Sequence, residues 1–298
     1  MGWANLTDAR RRLRGLLAKP GPVVAPGVYD CLSARLVEQA GFEAVFVSGS
    51  AVAAALLGVP DLGLMSMAEV LGQTRNIVRA VGIPVIADCD NGYGNPINVT
   101  RTVQEFEAAG VAGLFIEDQV APKRCGHFAG KQIVSCVEMV RKIEAAVEAR
   151  RDADLLLIAR TDAGALEGLD GAFKRARAYV QAGAEMVFVE APESLAELRA
   201  IGRELATIPL MVNMVEGGKT PLLAVADLAE LGFKLITFSG SVQKVAIHAV
   251  QGLLRELRQN GSVDCWYPDR MVSLDQRSAV LGLAEYSELE GRLLATED

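Results

Sequence analysis

Short, fully apolar runs alternate with amphipathic stretches along almost the whole chain. Four segments repeat one phrase: Gln39-Ala-Gly-Phe-Glu-Ala-Val-Phe-Val, Ala108-Ala-Gly-Val-Ala-Gly-Leu-Phe-Ile, Gln181-Ala-Gly-Ala-Glu-Met-Val-Phe-Val and Glu230-Leu-Gly-Phe-Lys-Leu-Ile-Thr-Phe. In each, a helical pattern stops at a glycine, the chain turns, and an apolar run begins. Such a run without polar alternation is the mark of a strand covered on both faces. Interleaved with helical patterns, it predicts βαβ units around a parallel sheet. The pattern predicts eight strands: Val23–Ala25, Ala44–Val47, Val85–Asp88, Gly113–Glu117, Leu155–Arg160, Met186–Glu190, Leu210–Asn213 and Lys234–Phe238. Helical stretches follow, among them Met67–Ala80, Val99–Ala109, Val137–Arg150 and Gln243–Gln259. A doubly wound sheet is the alternative, but the first βα turn, Ala25-Pro-Gly-Val-Tyr-Asp, lacks the G-x-G-x-x-G phosphate turn. Eight βα units in 298 residues point to an α/β fold, a (β/α)8 TIM barrel with a C-terminal helical extension. The expected organisation is one domain over 1–298: an N-terminal helix in 1–20, the barrel in 22–260 and a helical tail in 261–298, with helical spacing over Leu274–Leu294.

Composition narrows the function. Hydrophobic residues make up 51% and charged residues 22%, ample for a large core. A net charge of -7 with no Lys/Arg block excludes a general nucleic-acid surface. The segment Asp8-Ala-Arg-Arg-Arg-Leu-Arg14 reads as an amphipathic helix rather than a leader, and the longest apolar run, Ala51 to Leu57, is too short to cross a membrane. Five irregularly spaced cysteines fit a reducing cytoplasm, the expected location.

A TIM barrel places its chemistry at the C-terminal ends of its strands. Read in order, those ends give Ser48-Gly49-Ser50, Asp88-Cys-Asp90, Glu117-Asp118, Arg160-Thr-Asp162, Glu190, Asn213 and Ser239. Asp88 and Asp90 at alternate positions, with Glu117 and with Asp61 from the loop after the second strand, make an oxygen-rich cluster suited to Mg²⁺ or Mn²⁺. An exposed hinge in Asp-Asn-Gly-Tyr-Gly is the other reading of that segment. No zinc-type His/Cys spacing exists, and His248 falls mid-helix. Arg160 ends an apolar run and calls for an anion, either a substrate carboxylate or Glu190. The backbone N–H groups of Ser48-Gly49-Ser50 are a candidate site for a second carboxylate. After the fourth strand comes Lys123-Arg124-Cys125-Gly126-His127, which sets cations, a thiol and an imidazole within five residues. Positive neighbours at Cys125 favour its thiolate, the alternative being a solvated basic loop with an incidental cysteine.

Ser48-Gly-Ser50, Pro60-Asp61-Leu-Gly, Asp88-x-Asp90-x-Gly-Tyr-Gly-Asn, Ile116-Glu-Asp-Gln119, Lys123-Arg-Cys-Gly-His127, Ala159-Arg-Thr-Asp162 and Asn213-Met-Val-Glu-Gly-Gly-Lys-Thr-Pro221 together resemble the isocitrate lyase/phosphoenolpyruvate mutase superfamily. The likeness runs in order from about Val24 to beyond Ser239. It implies a TIM barrel with a helix exchanged between paired subunits, in a homotetramer built as a dimer of dimers. It implies Mg²⁺ on Asp88, with Asp61, Asp90 and Glu117 helping through water. It implies a small dicarboxylate held by Ser48, Gly49, Ser50, Gly126, Arg160 and Asn213, and catalytic parts for Lys123, Cys125, His127, Arg160 and Glu190. Val120 to Lys131 would be a loop that closes over the site, and Cys125 the proton donor of the lyases. Many mutases of the superfamily lack this thiol, whereas carboxyphosphonoenolpyruvate mutase-like sequences keep K-R-C-G-H.

Two positions depart from the methylisocitrate lyase branch. Phe46 stands where that branch has tyrosine, and Ser239 where it has proline. The alkylmalate and oxaloacetate branch, which includes the petal death protein, has serine at the latter place. Ser239 there would hydrogen-bond a hydrated ketone, or simply fill the rim. The substrate side chain is expected to sit among Phe46, Tyr93, Val189 and Ser239. The resemblance therefore implies a Mg²⁺-dependent carbon–carbon lyase or hydrolase for an alkylmalate, oxaloacetate or methylisocitrate type of acid. Phosphorus–carbon mutase chemistry and a non-catalytic carboxylate-binding barrel are the alternatives.

Overall fold

The computed structural model describes residues 6–294. Eight parallel strands pair in chain order and close into a barrel: β1 (Val23–Val28), β2 (Val45–Val47), β3 (Val85–Asp88), β4 (Gly113–Glu117), β5 (Leu156–Thr161), β6 (Met186–Val189), β7 (Leu210–Asn213) and β8 (Phe233–Phe238). Around them run α1 (Leu6–Ala18), α2 (Cys31–Gln39), α3 (Gly49–Leu57), α4 (Met67–Ala80), α5 (Pro96–Ala109), α6 (Cys136–Ala149), α7 (Gly164–Gln181), α8 (Leu195–Glu204) and α9 (Val225–Glu230), and α10 (Ser241–Asn260) follows β8 in the chain. Beyond them lie α11 (Leu274–Leu281) and α12 (Leu283–Leu294). No described helix is long and apolar enough to cross a membrane.

The sequence pattern anticipated β3, β4, β7 and α4 to the residue, and the misses have local causes. Pro26-Gly27 looks like a turn but continues β1, and a Cβ at Gly27 would overlap the Ser239 backbone packed on it. The apolar run after β2 is a helix whose N-cap, Ser48, accepts from Ala51 N–H. The tail is broken at Gly282, which adopts a left-handed φ of 76° between α11 and α12.

The described chain divides into two compact units, one running through the barrel to Val242 and one from Gln243 onward. The second carries most of α10 with α11 and α12, and it exposes Val245, Val250, Leu254 and the solvated His248.

Strand period of two sorts the barrel residues into two layers. Phe46, Ile86, Phe115, Ile158, Phe188, Met211 and Leu235 fill the interior, with Leu13 and Leu16 of α1 packed among them. Their alternates face the surrounding helices: Val45, Ala87, Leu114 and Ile116 on one side, Val187, Val189 and Val212 on the other. Val189 therefore does not line a substrate pocket as the sequence suggested, because the pleat turns it away. One inward step beyond the interior layer come Ser48, Asp88, Glu117, Arg160, Glu190 and Asn213. The same periodicity that builds the core delivers these side chains to one rim.

Candidate active site

At the centre of the rim stands Arg160, 7% exposed. Its Nε and Nη2 donate to Asp162 at 2.9 and 3.2 Å. Nη1 lies 3.2 Å from Glu117 Oε2, and Nη2 lies 3.6 Å from Glu190 Oε1. Below it the rings of Phe115 and Phe188 lie 5.9 and 5.5 Å from the guanidinium carbon, within cation–π range. Burial works against the charge, and Asp162, Glu117 and Glu190 more than offset it, so the guanidinium stays ionised. Phe46 stacks on Phe115 at 5.6 Å between centroids. It is a floor tile beneath the site rather than a group at its surface, being 3% exposed.

Around Arg160 the carboxylates outnumber the cations. Asp61, Asp88, Asp90, Glu117, Asp162 and Glu190 face only Lys123, Lys131 and Arg160. Both Glu117 oxygens are buried without a hydrogen-bond partner, since Arg160 lies beside Oε2 without alignment. Burial pushes the Glu117 carboxyl well above the ordinary range despite Arg160 and Lys123. Asp88 is tied by Gly49 N–H at 3.2 Å and Asp90 N–H at 3.0 Å. Lys123 Nζ sits 2.6 Å from Asp61 and 2.7 Å from Asp90. Burial first, and Asp88 next among the acids, push Asp90 up to about 6 against the pull of Lys123. Burial draws the Lys123 ammonium down, but Asp90, Asp88, Glu117 and Asp61 together hold it well above its ordinary value.

No group of three or more His, Cys, Asp or Glu among the described residues is preassembled as a metal cage. The donor set nevertheless fits a hydrated Mg²⁺: it is all oxygen, carries surplus negative charge, and includes the orphaned carboxylate of Glu117. Mg²⁺ keeps several waters and takes one or two carboxylates rather than a full protein shell.

The segment after β4 lies over these groups. Cys125 N–H donates to Asp61 O at 3.1 Å, and Lys131 Nζ donates to Gly126 O at 2.6 Å and Asp162 at 2.7 Å. A Cβ at Gly126 would overlap the Glu190 carboxylate, so only glycine lets the segment pass this close. His127 Nδ1 accepts from Lys219 N–H at 3.1 Å. The ring proton then belongs on Nε2, which points toward Glu190 Oε1 at 3.8 Å. The expected thiolate at Cys125 is corrected. Burial raises its pKa, Asp61 and Glu190 reinforce the rise, and the His127 N–H and Arg160 only partly oppose it. Lys123 spends its charge on Asp61 and Asp90, and the Arg124 side chain faces solvent. A thiol that keeps its proton is suited to donate one.

The remaining expected residues take secondary positions. Ser48 N–H is bound to Val28 O and Gly49 N–H to Asp88, so the amide nest expected over Ser48-Gly49-Ser50 is largely spent inside the protein. Ser50 is exposed. Asn213 Oδ1 accepts from Ser239 N–H at 3.2 Å, which joins the ends of β7 and β8. Tyr93 adopts a left-handed φ of 58°, and its hydroxyl is buried without a hydrogen-bond partner. Asp162, Lys131, Asp118 and Gln119 also shape the site, although reading strand ends alone did not assign them roles. Asp162 and Gln119 stood only as letters in motifs, and Lys131 only as a loop boundary.

Residues 13–258 match the family model described as phosphoenolpyruvate phosphomutase. The chain is 43% identical to a 2,3-dimethylmalate lyase of Eubacterium barkeri over 94% of this chain and 96% of that one. It is 45% identical to a 2-methylisocitrate lyase of Aeropyrum pernix over 94% and 88%. Its fold is similar to that of an oxaloacetate acetylhydrolase solved with the inhibitor 3,3-difluorooxalacetate. That match has a TM-score of 0.92 and 36% identity, covering 98% of this chain and 99% of the other.

Proposed function

The chain belongs to the isocitrate lyase/phosphoenolpyruvate mutase superfamily, and we propose that it is a Mg²⁺-dependent carbon–carbon lyase for a short 2-hydroxy or 2-oxo dicarboxylate. The observation that carries this reading is the placement of the half-buried Cys125 on a segment tied down over a rim of Arg160, Glu117, Glu190 and Asp88. The named activities of the similar proteins, on dimethylmalate, methylisocitrate and oxaloacetate, support the substrate class.

Each side chain then has a task. Arg160 pairs with a substrate carboxylate, exchanging part of its contact with Glu117 and Glu190 for it. Asp88, Asp61, Asp90 and Glu117 would hold Mg²⁺, which would supply stabilisation of negative charge developing on the substrate oxygen. Asn213 and Ser239 bind the far end of the acid. Glu190, its carboxyl raised by burial, is placed to hold a proton beside Arg160. The C2 hydroxyl proton passes to Glu190 as C2–C3 breaks, leaving a 2-oxo acid (oxalate, where the substrate is a hydrated 2-oxo acid) and a carboxylate whose α-carbon has enolate character. Cys125 gives that carbon the thiol proton and recovers it from solvent when the segment opens. Exclusion of water strengthens each of these interactions. The apolar side chains exposed on α10, Val245, Val250 and Leu254, support a homo-oligomer with an exchanged helix.

A substrate panel of alkylmalates, oxaloacetate and methylisocitrate, with and without Mg²⁺, tests the proposal. Metal-dependent release of a 2-oxo acid or oxalate from at least one is expected. No release from any of them would overturn it. The family model's description keeps phosphorus–carbon rearrangement as the second reading. A ³¹P-detected rearrangement with no cleavage of the panel would favour it, and binding without any turnover would leave a non-catalytic barrel.

A further inference from the structure

Gln119 lies two residues past the end of β4, directly after Glu117 and Asp118, and it is 1% exposed. Its side-chain amide makes two bonds to the main chain of one residue: Nε2 donates to Arg124 O and Oε1 accepts from Arg124 N–H, both at 2.9 Å. Arg124 is the residue between Lys123 and Cys125. Its own side chain is exposed, so what the protein grips here is main chain rather than charge. Gln119 is fixed in turn. Its backbone forms an antiparallel bridge with Ile133, and its carbonyl accepts from Asn91 Nδ2 at 3.4 Å. Asn91 is the neighbour of Asp90, which holds the Lys123 ammonium at 2.7 Å. The Asn91 carbonyl accepts from the buried Lys142 Nζ at 3.1 Å. A ring is thereby closed, from Asp90 through Lys123, Arg124 and Gln119 to Asn91 and back.

We propose that Gln119 is a positioning residue: through the Arg124 backbone it sets Lys123 toward the carboxylates and Cys125 over the substrate space. The need for an amide follows from the partner. Arg124 turns its own N–H and its own C=O, which belong to successive peptide units, toward Gln119, and a carboxamide of this reach offers the matching acceptor and donor. A carboxylate keeps the bond accepted from Arg124 N–H and sets oxygen against Arg124 O, and alanine loses both. Gln119 touches no reacting atom, so its effect falls on proton delivery rather than on substrate affinity. The inference rests on the role given above to Cys125, but the clamp itself is readable without turnover.

The test uses the full-length protein without substrate. Cys125 alkylation by iodoacetamide is followed by peptide mapping, with the exposed Cys265 as internal reference. In Gln119→Ala and Gln119→Glu the Cys125 rate relative to Cys265 should rise roughly tenfold, the scale for losing one to two hydrogen bonds. With the best substrate, kcat should fall while KM stays within about twofold. Hydrogen exchange on the unaltered protein keeps the proposal exposed if either variant fails to fold. There the Arg124 amide should be protected well beyond those of the exposed Ala129 and Gly130. An unchanged Cys125 rate in a folded variant, or an Arg124 amide that exchanges as fast as its exposed neighbours, would overturn the clamp. Turnover that survives Cys125→Ser would instead remove the catalytic reading and leave the clamp standing.

Discussion

Glu117 and Asp118 are neighbours in sequence, and both are fully buried. The pleat of β4 sends the first into the barrel mouth and holds the second outside, among the helices. Asp118 accepts from Thr161 Oγ1 at 2.7 Å, Asp162 N–H at 2.9 Å, Tyr179 OH at 2.7 Å and Arg175 Nη1 at 3.4 Å. Arg175 is itself pinned by Glu167 and by the Val134 carbonyl. Glu117 has no hydrogen-bond partner at either oxygen. Its one close cation is Arg160, 3.2 Å from Oε2 without hydrogen-bond alignment, and a buried carboxyl held so incompletely costs free energy that the fully bonded Asp118 does not. On the proposed reading the outer carboxylate is structural and the inner one is kept for a ligand.

The largest effect expected from this contrast is on the outer side. Asp118→Ala leaves the Thr161 and Tyr179 hydroxyls, the Asp162 amide and part of Arg175 without their acceptor. Urea denaturation should show a loss of about 3–5 kcal/mol, the scale for breaking a buried charged network. Glu117→Gln should invert the pattern. Stability should change by less than about 1 kcal/mol or rise, since a neutral amide replaces a carboxyl that burial already disfavours ionising. Turnover should fall by about 10²-fold or more, because an amide cannot supply the carboxylate that a bound cation would draw out. If the two substitutions gave the same profile, the division between the faces would be wrong.

Acid–base behaviour sharpens the inner side further. Asp90 is raised from 3.8 to about 6, first by burial. A raised folded-state value means that its contribution to stability is fully present below the unfolded carboxylate range and is lost as pH rises through about 6. Mg²⁺ favours the ionised form, so on the proposed reading it restores more stability at pH 8 than at pH 5. Melting curves with and without Mg²⁺ should show an increment larger by a few degrees at the higher pH. Equal increments would separate Asp90 from the metal. At the small end, the exposed pair Arg141–Glu144 at 3.1 Å on α6 marks what a solvated ion pair is worth. Glu144→Ala should shift stability by less than about 0.5 kcal/mol.

Much of this was legible in the sequence. The repeated phrase of a helix ending at glycine and an apolar run announces four of the strands, and the strand ends read in order name Asp88, Glu117, Arg160, Glu190 and Asn213. What sequence spacing could not show is where a long side chain spends its charge. Lys123 sits two residues from Cys125 and seemed to favour its thiolate, yet it reaches Asp61 and Asp90, and burial decides the thiol's state. Asp162, Lys131 and Gln119 act through partners 31, 31 and 5 residues away. A reading of strand ends has no term for such contacts. Val189 was misplaced for a simpler reason, since its position on the alternate face of β6 was overlooked beside Glu190.

The central claim is that the rim and the thiol above it form a carbon–carbon lyase site. Its most direct test is Mg²⁺-dependent release of the 2-oxo acid from the best substrate of the panel, compared between the unaltered protein and Cys125→Ser with folding verified for both. The account predicts cleavage by the unaltered protein and a loss of about 10²-fold or more in the variant, the scale of a positioned proton donor. Equal rates for the two proteins would contradict it.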